Sequence, residues 1–417
     1  MRQIKIWVTL GCSLFLFLPL LNGLALAQET RPSVSESPHS PFELKKGDRV
    51  VFLGNSLFEN DFQYGYLELA LATRWPNRDV TFRNLGWTGD NVYGVARSTI
   101  TNPPTGYELL MEHLTKAQPT VVFLAYGGIE AQDGEAGLLS FKEGLNKLLN
   151  KIDSLGARAI LLSPIPILTT DSAANQTSRN AMLEVYSAAI AQTAAERGKH
   201  FVDIFKPIQE IGKQQTITEN GIHLNETGYY YLATILESKL GLPPRTKPVV
   251  ITVSKNTAEA SASAKILDSG KNTANLTFTI DESFLPLPSP ETGNRIANAE
   301  QVLKITGLKK GFYTLTADEL TVATASANEW ETGVEIRQGG SFDQARALQQ
   351  MIVKKNELFF FQYRPLNTTY ILGFRSYEQG RHSKGLEEQS FIIKWLEGQI
   401  ALHRTPKTRV YQLTFLK

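Results

Sequence analysis

The feature that most constrains the fold is a regular alternation, between Asp48 and about Leu240, of short apolar runs with longer helical stretches. The runs are rich in β-branched residues, as in strands that are buried on both faces of a sheet. Strands joined by crossover helices connect in the right-handed sense and lie parallel. The sequence therefore predicts an α/β fold with a five-stranded parallel sheet. The predicted strands are residues 49–53, 80–84, 120–125, 157–163 and 200–204, and the predicted helices are residues 62–74, 106–116, 134–155, 176–197 and 226–240.

The proline-rich segment 241–248 is a domain boundary, because clustered prolines neither continue a helix nor join a central strand. Beyond it the hydrophobic period changes toward two, which predicts a small antiparallel β-sandwich that binds or covers rather than catalyses. Two helices follow, at 342–360 and 383–402. The predicted domains are 46–242, a β-rich module at 249–338 and a helical segment at 339–417; on which domain the helices pack is left open. The strands expected in the module are residues 249–254, 276–280, 302–305, 311–317 and 319–323.

The N-terminus has the three parts of a secretory signal peptide: a basic start, an apolar run over 6–24, and the small-residue site Ala25-Leu26-Ala27. We expect cleavage after Ala27, a flexible linker over 28–45, and a periplasmic or extracellular protein without a membrane span. The alternative is an uncleaved anchor, since about 19 apolar residues just span a bilayer. Cys12, the one cysteine, lies inside this run, so the mature chain has no thiol for a disulfide, a metal site or a nucleophile.

The composition is that of a globular protein with a formal net charge of only +2. No global field therefore attracts the chain to nucleic acid or to an anionic membrane. Any partner has to be recognised by a local site, and the oligomeric state is left open.

Polar residues and glycines follow the ends of separate predicted strands, where an open parallel sheet binds its ligands. Ser56 follows the first strand, Gly86 the second and residues 127–128 the third, while His223 precedes the last helix. A serine, backbone N–H groups and a histidine at one sheet edge are the nucleophile, the oxyanion donors and the base of acyl transfer. The alternative for Ser56 is a helix N-cap.

These residues lie in four motifs that resemble the blocks of SGNH/GDSL hydrolases. GNSL at 54–57 resembles the GDSL block, and Gly86 matches the second-block glycine. GGIE at 127–130 stands where the family has GxND, and NGIH at 220–223 stands where it has DxxH. The resemblance covers about 46–240 and implies a three-layer, flavodoxin-like fold. It implies Ser56 as nucleophile, His223 as general base and then acid, the N–H groups of Ser56 and Gly86 in the oxyanion hole, and no cofactor or metal.

Three positions depart from the family pattern, and each departure removes charge or polarity. Ile129 replaces the asparagine that donates to the oxyanion, a loss that typically costs about 10²- to 10³-fold in rate. Asn220 replaces the aspartate that orients the histidine, a change that costs about 10⁴-fold in a serine protease. Asn55 replaces the GDSL aspartate. The candidates to compensate are Asp203, Glu219 or a backbone carbonyl beside His223, and Glu59 and Glu130 near the same pocket. For each acid the alternative, which the sequence favours, is a solvated or helix-capping carboxylate.

Aromatic residues also gather near these turns, and rings beside a polar cleft suit the faces of sugars. Trp87 and Tyr126 are therefore predicted to bind substrate, and the alternative for these aromatics is packing in the core. The expected function is that of an exported ester hydrolase that forms an acyl-serine intermediate, with a small-molecule or glycan ester, such as an acylated carbohydrate, as substrate. The alternative is a catalytically impaired SGNH scaffold that binds a glycan or a protein partner.

Overall fold

Five strands of the N-terminal half form one sheet, and all of them are parallel. They are β1 (Arg49–Gly54), β2 (Thr81–Asn84), β3 (Val121–Ala125), β4 (Arg158–Leu162) and β5 (His200–Val202), in the spatial order β2-β1-β3-β4-β5. This order is that of a flavodoxin-like sheet, so the predicted fold class is confirmed. The computed structural model describes residues 42–97, 104–169, 172–255, 257–269, 275–291, 301–364 and 383–416.

Helices cover both faces of the sheet, because alternate residues of each strand point to opposite faces and both sets are apolar. In β1, Val50 and Phe52 pack with α2 and α7, whereas Val51 and Leu53 pack with α3, α4 and α5. Two short helices, α1 and α6, were not predicted. The predicted helix 62–74 begins later, after a 3-10 turn. The helices are α1 (Ser56–Glu59), α2 (Tyr66–Arg74), α3 (Gly106–Ala117), α4 (Leu138–Ser154), α5 (Ala173–Glu196), α6 (Phe205–Gly212) and α7 (Glu226–Lys239).

The first described residues pack against the sheet domain rather than extending from it. Leu44 is fully buried, and the Phe42 ring contacts the rings of Trp75 and Phe123 at 6.0 and 5.9 Å. The end of the predicted linker 28–45 is therefore part of the folded domain. The predicted signal segment 1–27 lies outside the described residues. Within the described residues, no helix is both long and apolar enough to cross a membrane.

The β-rich module consists of two sheets that share one core, as a small sandwich does. One sheet has the order β13-β10-β6-β7 and the other β12-β11-β14-β9-β8. The prediction of antiparallel pairing is wrong for β6 and β10, which lie parallel. Parallel neighbours need a long connection, and the chain between these two strands is long enough to provide it. The elements are β6 (Val249–Val253), β7 (Ala258–Ala260), β8 (Ala264–Asp268), β9 (Asn275–Ile280), β10 (Gln301–Thr306), β11 (Phe312–Ala317), β12 (Leu320–Ser326), α8 (Ala327–Thr332), β13 (Val334–Ile336) and β14 (Val410–Leu416).

The two long C-terminal helices, α9 (Gly340–Tyr363) and α10 (Ser383–His403), belong to the core of the first domain. Ile352 joins the apolar cluster on one face of the parallel sheet, and Phe359 and Ile393 join the cluster on the other. Lys355 of α9 is fully buried and donates to Glu68 of α2 at 2.7 Å. The segment 339–417, predicted as helical, thus completes the first domain with its helices. Its last strand, β14, pairs with β11 and β9 in the other module.

Candidate active site

Ser56 is the first residue of α1, immediately after the end of β1. The side chain of Asn55 caps this helix, since its Oδ1 accepts the Leu57 N–H at 3.1 Å. The hydroxyl of Ser56 is therefore not used as the cap. A first-turn amide has no acceptor within its own helix. Among the described residues, neither the N–H nor the hydroxyl of Ser56 has a hydrogen-bond partner, so both remain available to a ligand.

The histidine lies on a tight turn that the backbone holds in place. Glu219 N–H donates to His223 O at 2.9 Å, and Leu168 N–H donates to Gly221 O at 2.8 Å. Gly221 has φ +80°, and a Cβ there would lie 2.3 Å from Thr169 Oγ1. Only glycine fits this position. The turn is thereby fixed against the segment that follows β4, and His223 is presented at the carboxyl edge of the sheet.

Ser56 and His223 line the same cavity, which has a volume of about 120 Å³. They are half-buried, and no hydrogen bond between their side chains occurs in the described part of the chain. Catalytic hydrogen bonds are often long in unliganded sites, so a shared cavity is the relevant finding. Most of the other lining side chains are apolar, namely Leu57, Ile129, Pro164, Ile165, Pro166, Ile167, Leu183, Ile222 and Leu224.

Asn220 contacts the histidine as the family aspartate would, but with a donor instead of an acceptor. Its Oδ1 accepts two backbone N–H groups, from Ile222 at 3.1 Å and from His223 at 2.9 Å. These two bonds fix the amide orientation, because only the oxygen accepts. The Nδ2 then faces His223 Nδ1 at 3.4 Å. Since an amide nitrogen can only donate, this contact favours the neutral tautomer in which Nδ1 accepts and Nε2 carries the proton.

Gly86, predicted to supply an oxyanion donor, does not line the cavity. Its N–H donates to Asn84 Oδ1 at 2.9 Å, and its carbonyl accepts the Tyr363 hydroxyl at 2.8 Å. A Cβ at this position would lie 2.2 Å from the Glu59 amide nitrogen. The glycine therefore permits close packing of two turns, and its amide is occupied. Ile129, in contrast, faces the cavity as predicted and presents an apolar side chain there.

Two of the acids expected to compensate lie near the histidine turn but bind other groups. Asp203 Oδ1 accepts the Phe205 N–H at 3.0 Å and the Ser163 hydroxyl at 3.3 Å, and so holds the start of α6. Glu219 accepts the Tyr64 hydroxyl at 3.3 Å. Neither carboxylate contacts the imidazole.

The other two acids stabilise loops. Glu130 is buried and accepts the N–H groups of Val92 at 2.9 Å and Gly127 at 2.8 Å. Burial raises the pKa of the Glu130 carboxyl, and these N–H groups oppose the shift. Glu59 forms an ion pair with Arg364 at 3.0 Å. Asn220 is therefore the one side chain, among the described residues, that hydrogen-bonds the imidazole.

The two predicted substrate-binding aromatics are also used within the protein. The Arg364 guanidinium lies 3.6 Å from the centre of the Trp87 ring, and the His113 ring stacks on the same residue at 6.0 Å. Trp87 is not part of the cavity. Tyr126 lines it but is almost fully buried, and its hydroxyl donates to Asp90 at 2.9 Å. Burial raises the pKa of Tyr126 well above its ordinary value. Neither ring offers an open face to a sugar.

Sequence reasoning missed the lining supplied by residues 164–167 and by Arg179 of α5. The first follow β4, so the strand-end rule used for the other strands would have identified them. Arg179 carries no such signal, because a lone arginine on a long helix is indistinguishable in sequence from a solvated one.

Comparisons with known proteins match a family to part of the chain and a fold to most of it. Residues 52–231 match the GDSL-like lipase/acylhydrolase family. No curated protein matches the chain. A solved gut microbial diltiazem-metabolizing enzyme is similar at 19% identity and a TM-score of 0.68, over 90% of this chain and 99% of that one. An acetylxylan esterase from Geobacillus stearothermophilus is 16% identical over 48% of this chain and 98% of its own, with a TM-score of 0.40. The first of these shares the fold along nearly the whole chain.

Proposed function

Because residues 52–231 of this chain match the GDSL-like lipase/acylhydrolase family, we propose that the protein hydrolyses esters through an acyl-serine intermediate. The observation that carries the proposal is the shared cavity of Ser56 and His223. The small apolar cavity favours a short acyl group. The proposed location, outside the cytoplasm, rests on the signal-like N-terminus. We propose an acylated carbohydrate as the substrate, and the proposed export is the only support for this choice.

The proposed reaction passes two protons through His223, one during acylation and one during deacylation. The Ser56 hydroxyl loses its proton to the imidazole as Oγ attacks the ester carbonyl, and the imidazolium then protonates the departing alcohol. Water then attacks the acyl-serine and gives a proton to the same imidazole, and the imidazolium returns that proton to Ser56 Oγ as the acid departs. The Ser56 N–H, which has no intrahelical acceptor, is placed to donate to the developing oxyanion.

Ester hydrolysis at this site is expected to be slower than in an SGNH hydrolase that keeps the family's polar residues. Ile129 offers no oxyanion donor, and the Gly86 N–H is occupied by Asn84. Each missing donor typically costs about 10²- to 10³-fold in rate. The amide of Asn220 in addition favours the imidazole tautomer that cannot accept the serine proton.

The direct test is Ser56→Ala in the protein without its signal segment. Wild type should release nitrophenol from 4-nitrophenyl acetate and should be labelled by a fluorophosphonate probe, whereas the variant should do neither. Ser154→Ala is the matched control, because the hydroxyl of that exposed serine only donates to the Lys151 carbonyl at the end of α4. Equal rates and equal labelling in wild type and Ser56→Ala would refute the proposal.

The second candidate is an impaired scaffold that binds a glycan or a protein partner, and the donor contact from Asn220 to His223 favours it. In that case wild type should bind an acetylated oligosaccharide in calorimetry without releasing acetate. Release of acetate that depends on Ser56 would exclude this candidate.

A further inference from the structure

Arg179 is a cation in the wall of the Ser56 cavity, and it has no partner among the residues that the structure describes. It lies on α5 and lines the cavity together with Ser56 and His223. Among the described residues it forms no ion pair and no side-chain hydrogen bond. Another arginine of the same domain is neutralised, since Arg97 pairs with Asp90 at 2.8 Å.

Among the described residues that line the cavity there is no carboxylate, so Arg179 is the one with a permanent charge. The walls beside it are mainly apolar. Apolar walls lower the local dielectric and strengthen the attraction between an arginine and an anion. An anion that enters the cavity is therefore attracted to Arg179.

The departures from the family pattern have the same effect. Asn55, which lines the cavity, and Asn220, beside His223, stand where the resembling family has aspartates. Two aspartates would repel an anionic ligand at short range, as like charges do. The neutral amides remove that repulsion. The substitutions that weaken the catalytic machinery thus also make the site tolerant of negative charge.

We infer that the cavity selects esters that carry a carboxylate, and that Arg179 recognises that carboxylate. The inference rests on the proposed esterase function and specifies its substrate class. A guanidinium matches a carboxylate with two parallel N–H donors, which a lysine ammonium does not. Arg179 is exposed on its outer side, so the preference should weaken as salt rises.

The test compares matched anionic and neutral esters in wild type and Arg179→Gln. One pair places the carboxylate on the acyl side, 4-nitrophenyl hemisuccinate against 4-nitrophenyl butyrate. The other places it on the alcohol side, 4-carboxyphenyl acetate against phenyl acetate. In at least one pair, Arg179→Gln should lower the ratio of kcat/KM for the anionic over the neutral ester by about tenfold. The change should lie mainly in KM, and Arg179→Lys should recover part of it.

The control for net charge is Lys116→Gln, an exposed cation that lies outside the cavity and pairs with Glu112. It should keep the wild-type ratio. Ratios that are equal in wild type and Arg179→Gln for both pairs would overturn the inference while leaving the esterase function intact.

A binding measurement separates the two proposals if no ester is turned over. Monoethyl succinate is titrated into Ser56→Ala and into the double variant with Arg179→Gln. We expect binding about tenfold weaker in the double variant. Equal affinities would overturn the inference independently of catalysis.

Discussion

Asn220→Asp should convert the imidazole of His223 to the tautomer that accepts a proton from Ser56. In the native site the Asn220 oxygen accepts two backbone N–H groups, and its nitrogen faces Nδ1 at 3.4 Å. An aspartate accepts with both oxygens, so one retains the backbone N–H groups while the other accepts an Nδ1–H. Nε2 then carries the lone pair that a general base needs.

The size of the effect follows from the hydrogen bonds that hold the amide. Turning the Asn220 side chain over would leave the Ile222 and His223 N–H groups without their acceptor, while its oxygen would accept an Nδ1–H in place of the present contact. Two neutral hydrogen bonds at about 1 kcal/mol each sum to about 2 kcal/mol, or roughly 30-fold. The aspartate charge also stabilises the imidazolium, and the whole change is worth about 10⁴-fold in a serine protease. We expect kcat to rise between about 30- and 10⁴-fold.

The assay is hydrolysis of 4-nitrophenyl acetate, with the ¹⁵N spectrum of the imidazole as a readout that does not depend on activity. The proton should move from Nε2 in wild type to Nδ1 in the variant. Asn225→Asp is the matched control, because Asn225 caps α7 on the same turn and does not contact the ring. An unchanged kcat together with an unchanged tautomer would refute the reasoning.

Three further variants test other parts of the structure. Gly221→Ala should lower kcat/KM by at least tenfold with a small loss of melting temperature, because its Cβ would displace the turn from Thr169; an unchanged kcat/KM would contradict this. Lys355→Met should lower the free energy of unfolding by about 3–5 kcal/mol in thermal denaturation, because it leaves the buried Glu68 carboxylate without its cation. A second change, Glu68→Leu, should restore most of that free energy. Burial raises the pKa of Asp61 from 3.8 to about 7. The folded state therefore loses roughly 1.4 kcal/mol of stability per pH unit as pH rises between these values. Urea unfolding at several pH values should show this slope in wild type and should not show it in Asp61→Asn.

The parallel sheet was predictable because its strands carry their own signal. β1 and β3 are continuous apolar runs, and such runs between helices have few other structures. The positions of Ser56 and His223 followed from the same rule, since strand ends in a parallel sheet share one edge. The antiparallel expectation failed for β6 and β10 because alternation shows that a strand has one buried face and does not show its neighbour's direction.

The site was less predictable because its hydrogen bonds come from distant residues. Trp87 has the sequence context of a cleft aromatic, but its ring is covered by Arg364, which lies more than 270 residues later in the chain. The Gly86 amide is taken by Asn84, two positions earlier, through a side-chain conformation that no pattern specifies. β14 was missed for a related reason, since one isolated alternating run after two helices gives no indication of the sheet that it joins.

The position of β14 constrains the order in which the protein matures. Its Tyr411 and Leu413 lie in the core of the sandwich, and its neighbours β9 and β11 precede it by more than ninety residues. While the ribosome still holds residues 410–416, β9 and β11 present unpaired edges that invite pairing with other chains. Newly made chains therefore expose these edges until synthesis has passed this strand. A nonsense mutation just before it is expected to yield an aggregating product, even though all the residues of the first domain would be present.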